Sequence, residues 1–491
     1  MQNLIDSVGS LSARERKALA VMLKQKGINL YGIAPIFRRE PGEPLLPSYA
    51  QQRQWFLWQL DPTSSAYHLP TALHLHGALD LPALQRALTA LVARHESLRT
   101  RFEEVAGQLQ VMLLEPWAPM LDVRESTGEA WQAALAEEVA QPFDLATGPL
   151  FRVAVWRLGE QEHGLSLVLH HSIADGVSLQ VMVDELVGLY SACREGAGAQ
   201  PPALTVQYPD YALWQRQWMD AGERERQLAY WAERLRGEPQ VLALPADRPR
   251  PAQQSFAGAT LQVTLDPPAL TRLKAFAQGE NLTLFMLLLG SFQALLQRYT
   301  GQADIRVGVP IANRHRAETE GLIGFFVNTQ VLKAEVDDAL GARALWRQVR
   351  QAALEAQEYQ DLPFEQLVEV LQPERSLSHN PLFQVMFNHQ VQGQARQLEQ
   401  AGLRIEAVAW ENRNAQFDLT LNTAEHPGGL EAAFTYATDL FDAATVERLA
   451  GHWQQLLQAM VNAPDTPLAD LPLLSASERS QLVEGFNATA V

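Results

Sequence analysis

The chain has 491 residues, of which 47% are hydrophobic and 19% are charged, and its formal net charge at pH 7 is −17. This length exceeds what one hydrophobic core usually supports, so we expect two lobes or domains. The acidic balance argues against duplex nucleic acid and against an anionic membrane as the main partner. The single cysteine, Cys193, excludes an intramolecular disulfide and fits a reducing cytoplasm. No run reaches the ~20 apolar residues that a membrane span needs.

The first predicted elements in chain order are a helix and an extended connector. Ser12 followed by Glu15 matches a capping box, and apolar residues then recur at helical spacing. The prolines between Pro35 and Pro47 predict an extended segment. We therefore assign residues 1–44 to an N-terminal helix and linker that precede the first lobe.

A buried strand then leads into a polar turn. Leu165–Leu169 is a continuous apolar run, typical of a strand that is buried on both faces, and His170 and His171 follow directly. Asp175 and the glycine after it indicate a turn, and Ser178 is predicted to cap the next helix. The two histidines are therefore expected on a strand-to-helix connection, where catalytic groups are common.

A polar, proline-containing stretch separates this half from a second half that shows the same types of element. We place the boundary near residue 215, which gives a first lobe at 45–215, a second lobe at 216–471 and a C-terminal linker at 472–491. The second half contains an apolar helix and short strands, so strands and helices alternate throughout. This pattern is typical of an α/β fold.

The residue types around the histidine pair leave their chemistry open. Adjacent side chains on a strand point to opposite faces, so His170 and His171 enter one cavity only if the strand has already ended. We expect one of them to react and the other to pack. The Asp175 carboxylate is placed either to orient an imidazole or to bind an arginine. A plain turn or a metal site explains the pair as well, although no third zinc ligand lies nearby.

The segment from His170 to Gly176 reads HHSIADG and resembles the HHxxxDG motif of condensation domains of nonribosomal peptide synthetases and of their chloramphenicol-acetyltransferase-like relatives. Six further stretches resemble this family's other motifs and occur in the same order. They are 48–55, 94–102, 208–214, 323–330, 359–365 and 375–382. By this resemblance the sequence is identified as a member of the condensation domain family.

The resemblance implies two chloramphenicol-acetyltransferase-like α/β lobes in a V-shaped pseudo-dimer, with the active site in a tunnel between them. It implies peptide-bond formation between a donor thioester and the α-amine of an acceptor thioester. Both substrates would arrive on phosphopantetheine arms of carrier-protein domains, and the chain itself is expected to bind no cofactor and no metal. Residues 472–491 resemble the linker to a downstream adenylation domain.

The family motif carries over to four residues of the histidine loop. His171 is implied as the reacting histidine, with His170 as its packing neighbour. Asp175 is implied to be structural and to pair with an arginine. Gly176 is expected to leave room for the pantetheine arm or the amine, although a turn glycine needs no such reason.

Residues outside this loop complete the expected site. Arg314 is the first candidate partner of Asp175, and Arg99 is the second. Asn328 and Gln330 would face the channel between the lobes if their segment crosses over from the second lobe. Strand pairing alone explains these two amides equally well.

Three roles for the His171 imidazole remain open. The ring would deprotonate the amine before attack, deprotonate the tetrahedral intermediate, or position the amine by hydrogen bonding. An α-ammonium titrates near ~7.7 and a histidine near ~6.5, so direct proton transfer costs about 1.6 kcal/mol.

Two alternative functions of the chain also remain open, namely an epimerization domain and a catalytically silent docking platform. The first 30 residues also resemble pyoverdine-type siderophore synthetases.

Overall fold

The computed structural model describes residues 8–9, 11–196, 201–237, 240–371, 376–391, 398–408 and 413–485. Within these residues the chain forms a mixed α/β structure with two six-stranded sheets and a two-stranded hairpin. Arg375, which opens the last predicted motif, lies outside the described residues, as do the end of the predicted C-terminal linker, 486–491, and the first seven residues.

The strands are β1 (His68–His76), β2 (Thr100–Val105), β3 (Gln108–Leu113), β4 (Asp122–Glu125), β5 (Phe151–Gly159), β6 (Glu162–His170), β7 (Gly258–Leu265), β8 (Asp304–Ile311), β9 (Asn328–Glu335), β10 (Val385–Val391), β11 (Leu398–Gln400), β12 (Leu403–Ala407), β13 (Leu419–His426) and β14 (Gly429–Ala437).

The α-helices are α1 (Ala13–Lys24), α2 (Leu30–Ile33), α3 (Tyr49–Leu60), α4 (Leu81–Arg94), α5 (Gly128–Ala140), α6 (Gly176–Glu195), α7 (Tyr208–Trp218), α8 (Arg224–Arg234), α9 (Pro267–Gly279), α10 (Leu284–Thr300), α11 (Ala342–Glu358), α12 (Phe364–Leu371), α13 (Ala443–Asn462) and α14 (Ala476–Ser480).

The first sheet has the order β11-β12-β1-β6-β5-β4. Its strand β6 is antiparallel to both β1 and β5, and His170 at its end is opposite His68 of β1. Helices α4 and α6 pack together, and their apolar faces share a core with the sheet. Strand β6 is buried along nearly its whole length, which explains why its sequence is a continuous apolar run.

Two strands of the first sheet come from the second half of the chain. Strand β12 pairs with β1 through Leu73 opposite Ala407 and the following residues, and β11 pairs with β12. The prediction assigned all of 216–471 to the second lobe, so the assignment of 398–407 is corrected. Hydrogen bonds to the free edge of β1 bring this segment across, and its own sequence pattern does not indicate which sheet it joins. The other boundaries stay a prediction.

The second sheet has the order β7-β14-β13-β10-β8-β9. Strand β10 runs parallel to both β13 and β8, whereas the outer pairs are antiparallel. Helix α10 packs against α11 and α13, and it is buried along most of its length in the largest apolar core. Among the described residues no single helix is long and apolar enough to span a bilayer, although the bent pair α9 and α10 passes that test together.

A third apolar core joins the N-terminal segment to both halves. It contains Tyr31, Tyr211, Trp214 and Phe326, which come from three separate parts of the sequence. The predicted boundary at residue 215 falls inside helix α7, in the middle of this core. The segment before residue 45 is therefore packed against the body of the protein, since Trp214 Nε1 donates to Tyr31 O at 3.0 Å.

Of the two helix caps predicted from the sequence, one is confirmed and the other is not. The Ser12 and Glu15 side chains form the expected capping box at the start of α1. Helix α6 differs from the prediction, because Asp175 and not Ser178 is its N-cap residue. The Asp175 side chain accepts a hydrogen bond from Ser178 N at 2.8 Å, which places Ser178 in the first turn.

Candidate active site

The end of strand β6 separates the two histidines. His170 is the last residue of β6, and His171 is the first residue of the turn that leads to α6. His171 N donates to Tyr67 O and Ile173 N donates to His170 O, so the backbone bends away from the sheet directly after His170. Although the strand ends at His170, the two imidazoles lie in different surroundings, because His170 packs against His68 and Phe143 whereas His171 packs against Phe325.

The His171 ring is held by one hydrogen bond and one aromatic contact. Its Nδ1 lies 2.9 Å from Ala174 O. Because a carbonyl oxygen only accepts, Nδ1 carries the proton and Nε2 presents a lone pair. The ring packs against Phe325 at 4.6 Å between centroids. Among the described residues, no side chain or backbone group hydrogen-bonds Nε2, so this nitrogen is available to a substrate.

Burial lowers the pKa of His171 below its usual value of 6.5. The charge of Asp175 and the hydrogen bond to Ala174 O oppose this effect, whereas the Arg53 guanidinium adds to it. The ring is therefore neutral at pH 7. A neutral ring in this tautomer is ready to accept a proton or a hydrogen bond at Nε2.

His170 is buried and has a different role. Its ring lies against His68 and Phe143, and only 4% of the residue is exposed. Ser172 N donates to its Nδ1 at 3.1 Å, so this nitrogen accepts and the ring closes the turn. Burial holds the pKa of His170 well below 6.5. His170 therefore packs and shapes the loop.

Asp175 binds an arginine and does not orient His171. Arg314 Nη2 lies 3.1 Å from Asp175 Oδ1, so the pairing expected for Asp175 is present. Phe326 N donates to Asp175 Oδ2 at 3.0 Å, and Ser178 N donates to Oδ1 at 2.8 Å. Both carboxylate oxygens are thus engaged away from the His171 Nδ1, which is bonded to Ala174 O.

Arg314 is itself held at several points. Its Nη1 donates to Thr319 O and to Leu322 O, each at 2.7 Å, and its guanidinium lies 4.1 Å from the centre of the Phe326 ring. Its side chain is only 6% exposed. A guanidinium this buried needs its partners, so the arginine and Asp175 form one structural unit.

The segment 323–330 packs closely against helix α7 and the histidine loop. Ser178 Oγ lies 2.7 Å from Gly324 O and accepts from Gly324 N at 3.0 Å. A Cβ at Gly324 would lie 1.9 Å from Tyr208 Cδ2. No side chain fits at this position, which explains the glycine of the IGFF stretch.

A second set of polar contacts fixes the histidine loop from the other side. Gln51 Nε2 donates to Ser172 O at 3.0 Å. Tyr208 OH donates to Phe325 O at 2.6 Å and lies 2.9 Å from Ser48 Oγ. Three of the sequence motifs therefore meet around the loop, and their polar residues serve to position it.

Gly176 has no structural reason to be a glycine. A Cβ built on it meets no atom within 4 Å, and its φ is not in the left-handed region. The residue is exposed at the first turn of α6. Neither packing nor backbone conformation excludes a side chain here, so the expected role of Gly176 in leaving room for a substrate stays a prediction.

Three expected site residues have other contacts. Arg99 Nη1 donates to Leu114 O at 2.8 Å, so it is not the partner of Asp175. Asn328 Nδ2 donates to Leu362 O at 2.7 Å, and Gln330 Nε2 donates to Ala356 O at 2.6 Å. The expectation that these two amides face the channel is wrong. They are buried in β9 and satisfy backbone carbonyls at the end of α11 and the loop after it.

Three residues near His171 were missed by sequence reasoning. Phe325 contacts the imidazole ring, and Tyr67 accepts from the His171 backbone N. Arg53 forms an ion pair of 3.5 Å with Glu365 of α12 and thereby links the two halves. Phe325, Arg53 and Glu365 all lie within the stretches that resemble family motifs, and this resemblance was the sequence signal that could have identified them. Tyr67 lies outside these stretches, so nothing in the sequence indicated its contact with His171.

The model of the condensation domain family matches residues 44–483 of this chain. The chain belongs to the condensation domain family. This condensation domain is 46% identical over 454 residues to a linear gramicidin synthase protein of Brevibacillus parabrevis, a match that covers 90% of the chain and 6% of the synthase protein. It is 40% identical over 454 residues to malpibaldin synthetase of Mortierella alpina, covering 91% of the chain and 8% of that synthetase.

Solved structures share the fold of this condensation domain. The X-domain from teicoplanin biosynthesis has a TM-score of 0.83 at 29% identity, covering 89% of this chain and 100% of that one. The first condensation domain of the CDA synthetase has a TM-score of 0.73 at 22% identity, covering 89% and 100%. The relatives include synthases that are named for gramicidin and tyrocidine, so the expected siderophore pathway is not supported.

Proposed function

We propose that this condensation domain joins a donor acyl thioester to the α-amine of an acceptor aminoacyl thioester. The observation that carries this proposal is the state of His171: a neutral ring whose Nδ1 is bonded to Ala174 O and whose Nε2 is without a partner among the described residues. Such a nitrogen accepts a hydrogen bond from an incoming amine. The exposed backbone at Gly176 lies five residues further along the same loop.

In the proposed reaction the amine nitrogen attacks the thioester carbonyl carbon and forms the C–N bond. The carbonyl electrons move to oxygen, and collapse of the tetrahedral intermediate breaks the C–S bond. The proton lost by nitrogen reaches the departing thiolate, so the products are an amide and a thiol. Holding both reactants in contact offsets roughly 7–11 kcal/mol of the barrier, and the thioester is already activated.

The lowered pKa of His171 favours two of its three possible roles. Each pKa unit below 6.5 adds about 1.4 kcal/mol to the cost of taking a proton from the α-ammonium. Prior deprotonation of the α-ammonium by His171 is therefore less favourable than it would be for a histidine with the ordinary pKa of 6.5. Removing a proton from the zwitterionic intermediate, which is much more acidic, or positioning the amine by a hydrogen bond fits the neutral ring better.

The proposed partners are donor and acceptor carrier-protein domains and a downstream adenylation domain. The phosphopantetheine arms belong to the carriers and enter as parts of the substrates. The match to a solved four-domain nonribosomal peptide synthetase covers 34% of that protein, so the matching domain there is one part of a longer synthetase. This likeness supports neighbouring domains of a synthetase as the partners.

A single-turnover assay with two loaded carrier proteins tests the proposal. The donor carrier holds an L-aminoacyl or a D-aminoacyl group, the acceptor carrier holds an L-aminoacyl group, and the thioesters are identified by mass spectrometry. We expect a dipeptidyl thioester on the acceptor carrier with the L-donor, since the stretch around Ser48 resembles that of condensation domains that join an L-configured donor to an L-acceptor. Transfer in the wild type but not in a His171→Ala variant of equal stability supports the proposal.

A second candidate is a docking platform, because one structure of the teicoplanin X-domain is a complex with OxyB. A platform would bind the loaded carriers and leave both thioesters unchanged. An epimerization domain would convert a carrier-bound L-residue to a mixture of L- and D-forms with no new amide bond. Either product pattern, obtained with a broad panel of amino acids, would replace the proposed function.

A further inference from the structure

A cavity of about 360 Å³ lies at the surface of the second half, on helix α11. Its lining consists of Arg343, Trp346, Arg347 and Arg350 of that helix and of Glu280, Asn281 and Leu282 before α10. It shares no residue with the His171 site. A cavity of this size is typical of small-molecule sites, which range from about 300 to 1,000 Å³.

The three arginines are placed by the helical repeat. Positions 343, 347 and 350 are spaced four and three residues apart, so their side chains share one face of α11. Arg347 and Arg350 are separated by only about 4.5 Å along the helix axis. Their guanidinium groups can therefore contact a single ligand from neighbouring positions.

The arginines differ in their partners. Arg343 is paired with Glu280 and, at 2.9 Å, with Asp465, so its charge is already balanced. Arg347 and Arg350 are exposed and form no hydrogen bond or ion pair with any residue that the structure describes. The pKa of the Asp465 carboxyl is lowered first by its hydrogen bond to Arg343, and Arg347 lies close enough for its charge to help lower it, whereas Arg350 has no ion pair within the described residues.

The floor of the cavity is rigid. Trp346 is 1% exposed, its Nε1 donates to Leu287 O at 3.1 Å, and its ring lies where a side chain at Gly290 would clash. The Asn281 carboxamide is exposed at the rim and has no hydrogen bond within the described part of the chain. Trp346 thus gives the cavity a fixed apolar wall, and the arginine and Asn281 side chains around it can turn towards a ligand.

We propose that this cavity binds a small organic phosphate ester. Phosphate oxygens match the planar fork of an arginine, and two adjacent guanidinium groups fit the charge of a phosphate dianion. The volume beyond the anion leaves room for the organic part of the ligand. The ligand class is thus a phosphorylated small molecule, held by Arg347 and Arg350 and contacted by Asn281.

Isothermal titration of the full chain with ADP and with inorganic pyrophosphate, at low ionic strength, tests the proposal. We expect one ADP per chain and weaker binding of pyrophosphate. The double variant Arg347→Gln/Arg350→Gln should lose about tenfold or more in ADP affinity. Arg347→Lys/Arg350→Lys should lose less, because lysine keeps the charge but not the planar fork. Circular dichroism verifies that each variant is folded.

Arg14→Gln/Arg479→Gln is the matched control, since it removes two exposed arginines elsewhere that form no ion pair within the described residues. It should bind ADP as the wild type does. The proposal is overturned if the wild type binds neither probe, or if the control pair loses as much affinity as the cavity pair. Pyrophosphate binding as tight as that of ADP would refute the assignment to an organic ester.

Discussion

Arg314 Nη2 lies 3.1 Å from Asp175 Oδ1, across 139 residues of sequence, and the two side chains are 6% and 1% exposed. The same carboxylate caps helix α6 through Ser178 N and accepts from Phe326 N. One buried anion therefore fixes the loop that carries His171 and joins it to the second half of the chain.

Replacing Asp175 by alanine is expected to harm the fold before it harms the chemistry. The change leaves Arg314 buried without its partner, which typically costs about 3–5 kcal/mol. Asp175→Asn should cost less, because an amide oxygen still accepts from Ser178 N. Urea denaturation followed by circular dichroism measures the difference in the free energy of unfolding.

Asp184→Ala on the exposed side of helix α6 is the control for this change. It should alter the free energy of unfolding by no more than about 0.5 kcal/mol. An Asp175→Ala protein with wild-type stability but no condensation activity would mean that the carboxylate acts in the chemistry and not in the fold.

His171→Ala should leave the free energy of unfolding nearly unchanged and lower product formation. If the imidazole accepts the proton, the single-turnover rate should fall by about 10²–10⁴-fold. If the ring deprotonates the α-ammonium before attack, the deficit should shrink as the pH is raised, because the free amine needs no such step. A large loss that persists at high pH would instead favour removal of the proton from the zwitterionic intermediate. A positioning role predicts a smaller loss that does not depend on pH.

The neighbouring His170→Ala variant separates packing from chemistry. It removes a buried ring and should lower stability while the folded fraction still forms product. Full activity of His171→Ala with saturating carriers and the natural amino acids would exclude His171 from the mechanism.

Substitution by alanine should affect activity but not stability at Gly176, and should affect stability at Gly324. Gly176→Ala adds a methyl group where no atom lies within 4 Å, so the melting temperature should be kept. Its condensation rate should fall if a substrate arm passes over this turn. Gly324→Ala places a Cβ 1.9 Å from Tyr208 Cδ2 and should unfold the protein or cost several kcal/mol. Wild-type rates in Gly176→Ala would leave this residue as a plain turn glycine.

The stability of the protein should fall as the pH is lowered from 6.5 towards 4. Burial lowers the pKa of His68 to about 4, so the unfolded chain binds this proton first as the pH falls. The neutral His68 ring makes its full contribution to the free energy of unfolding above pH 6.5. This contribution falls by about 2 kcal/mol between pH 6.5 and pH 5. His170 contributes in the same direction.

His68→Asn tests this dependence. An asparagine amide can replace the contact of His68 Nδ1 with Val139 O, at 2.6 Å, but it does not titrate. The loss of unfolding free energy between pH 6.5 and pH 5 should therefore be smaller in the variant when measured by urea denaturation. Equal losses in both proteins would show that His68 is not the source.

The sequence by itself determined the local elements and the position of the histidine loop between a strand and a helix. The apolar run of β6, the capping box of α1 and the HHxxxDG stretch depend on neighbouring residues, whose periodicity and order are visible in the chain. The expected pairing of Asp175 with Arg314 came from the family resemblance, because nothing in the spacing of residues 139 positions apart indicates it.

The tertiary structure decided which polar groups are free and which are already bonded. The Asn328 and Gln330 amides looked available in the sequence, but carbonyls at the end of α11 and in the loop after it accept their hydrogen bonds. Strands β11 and β12 join the first sheet because the edge of β1 is open to them. Ala174 O accepts from His171 Nδ1 and so fixes the tautomer, and within the described residues no group hydrogen-bonds Nε2. Long-range hydrogen bonds satisfy groups far apart in sequence, so local pattern cannot reveal which donors remain.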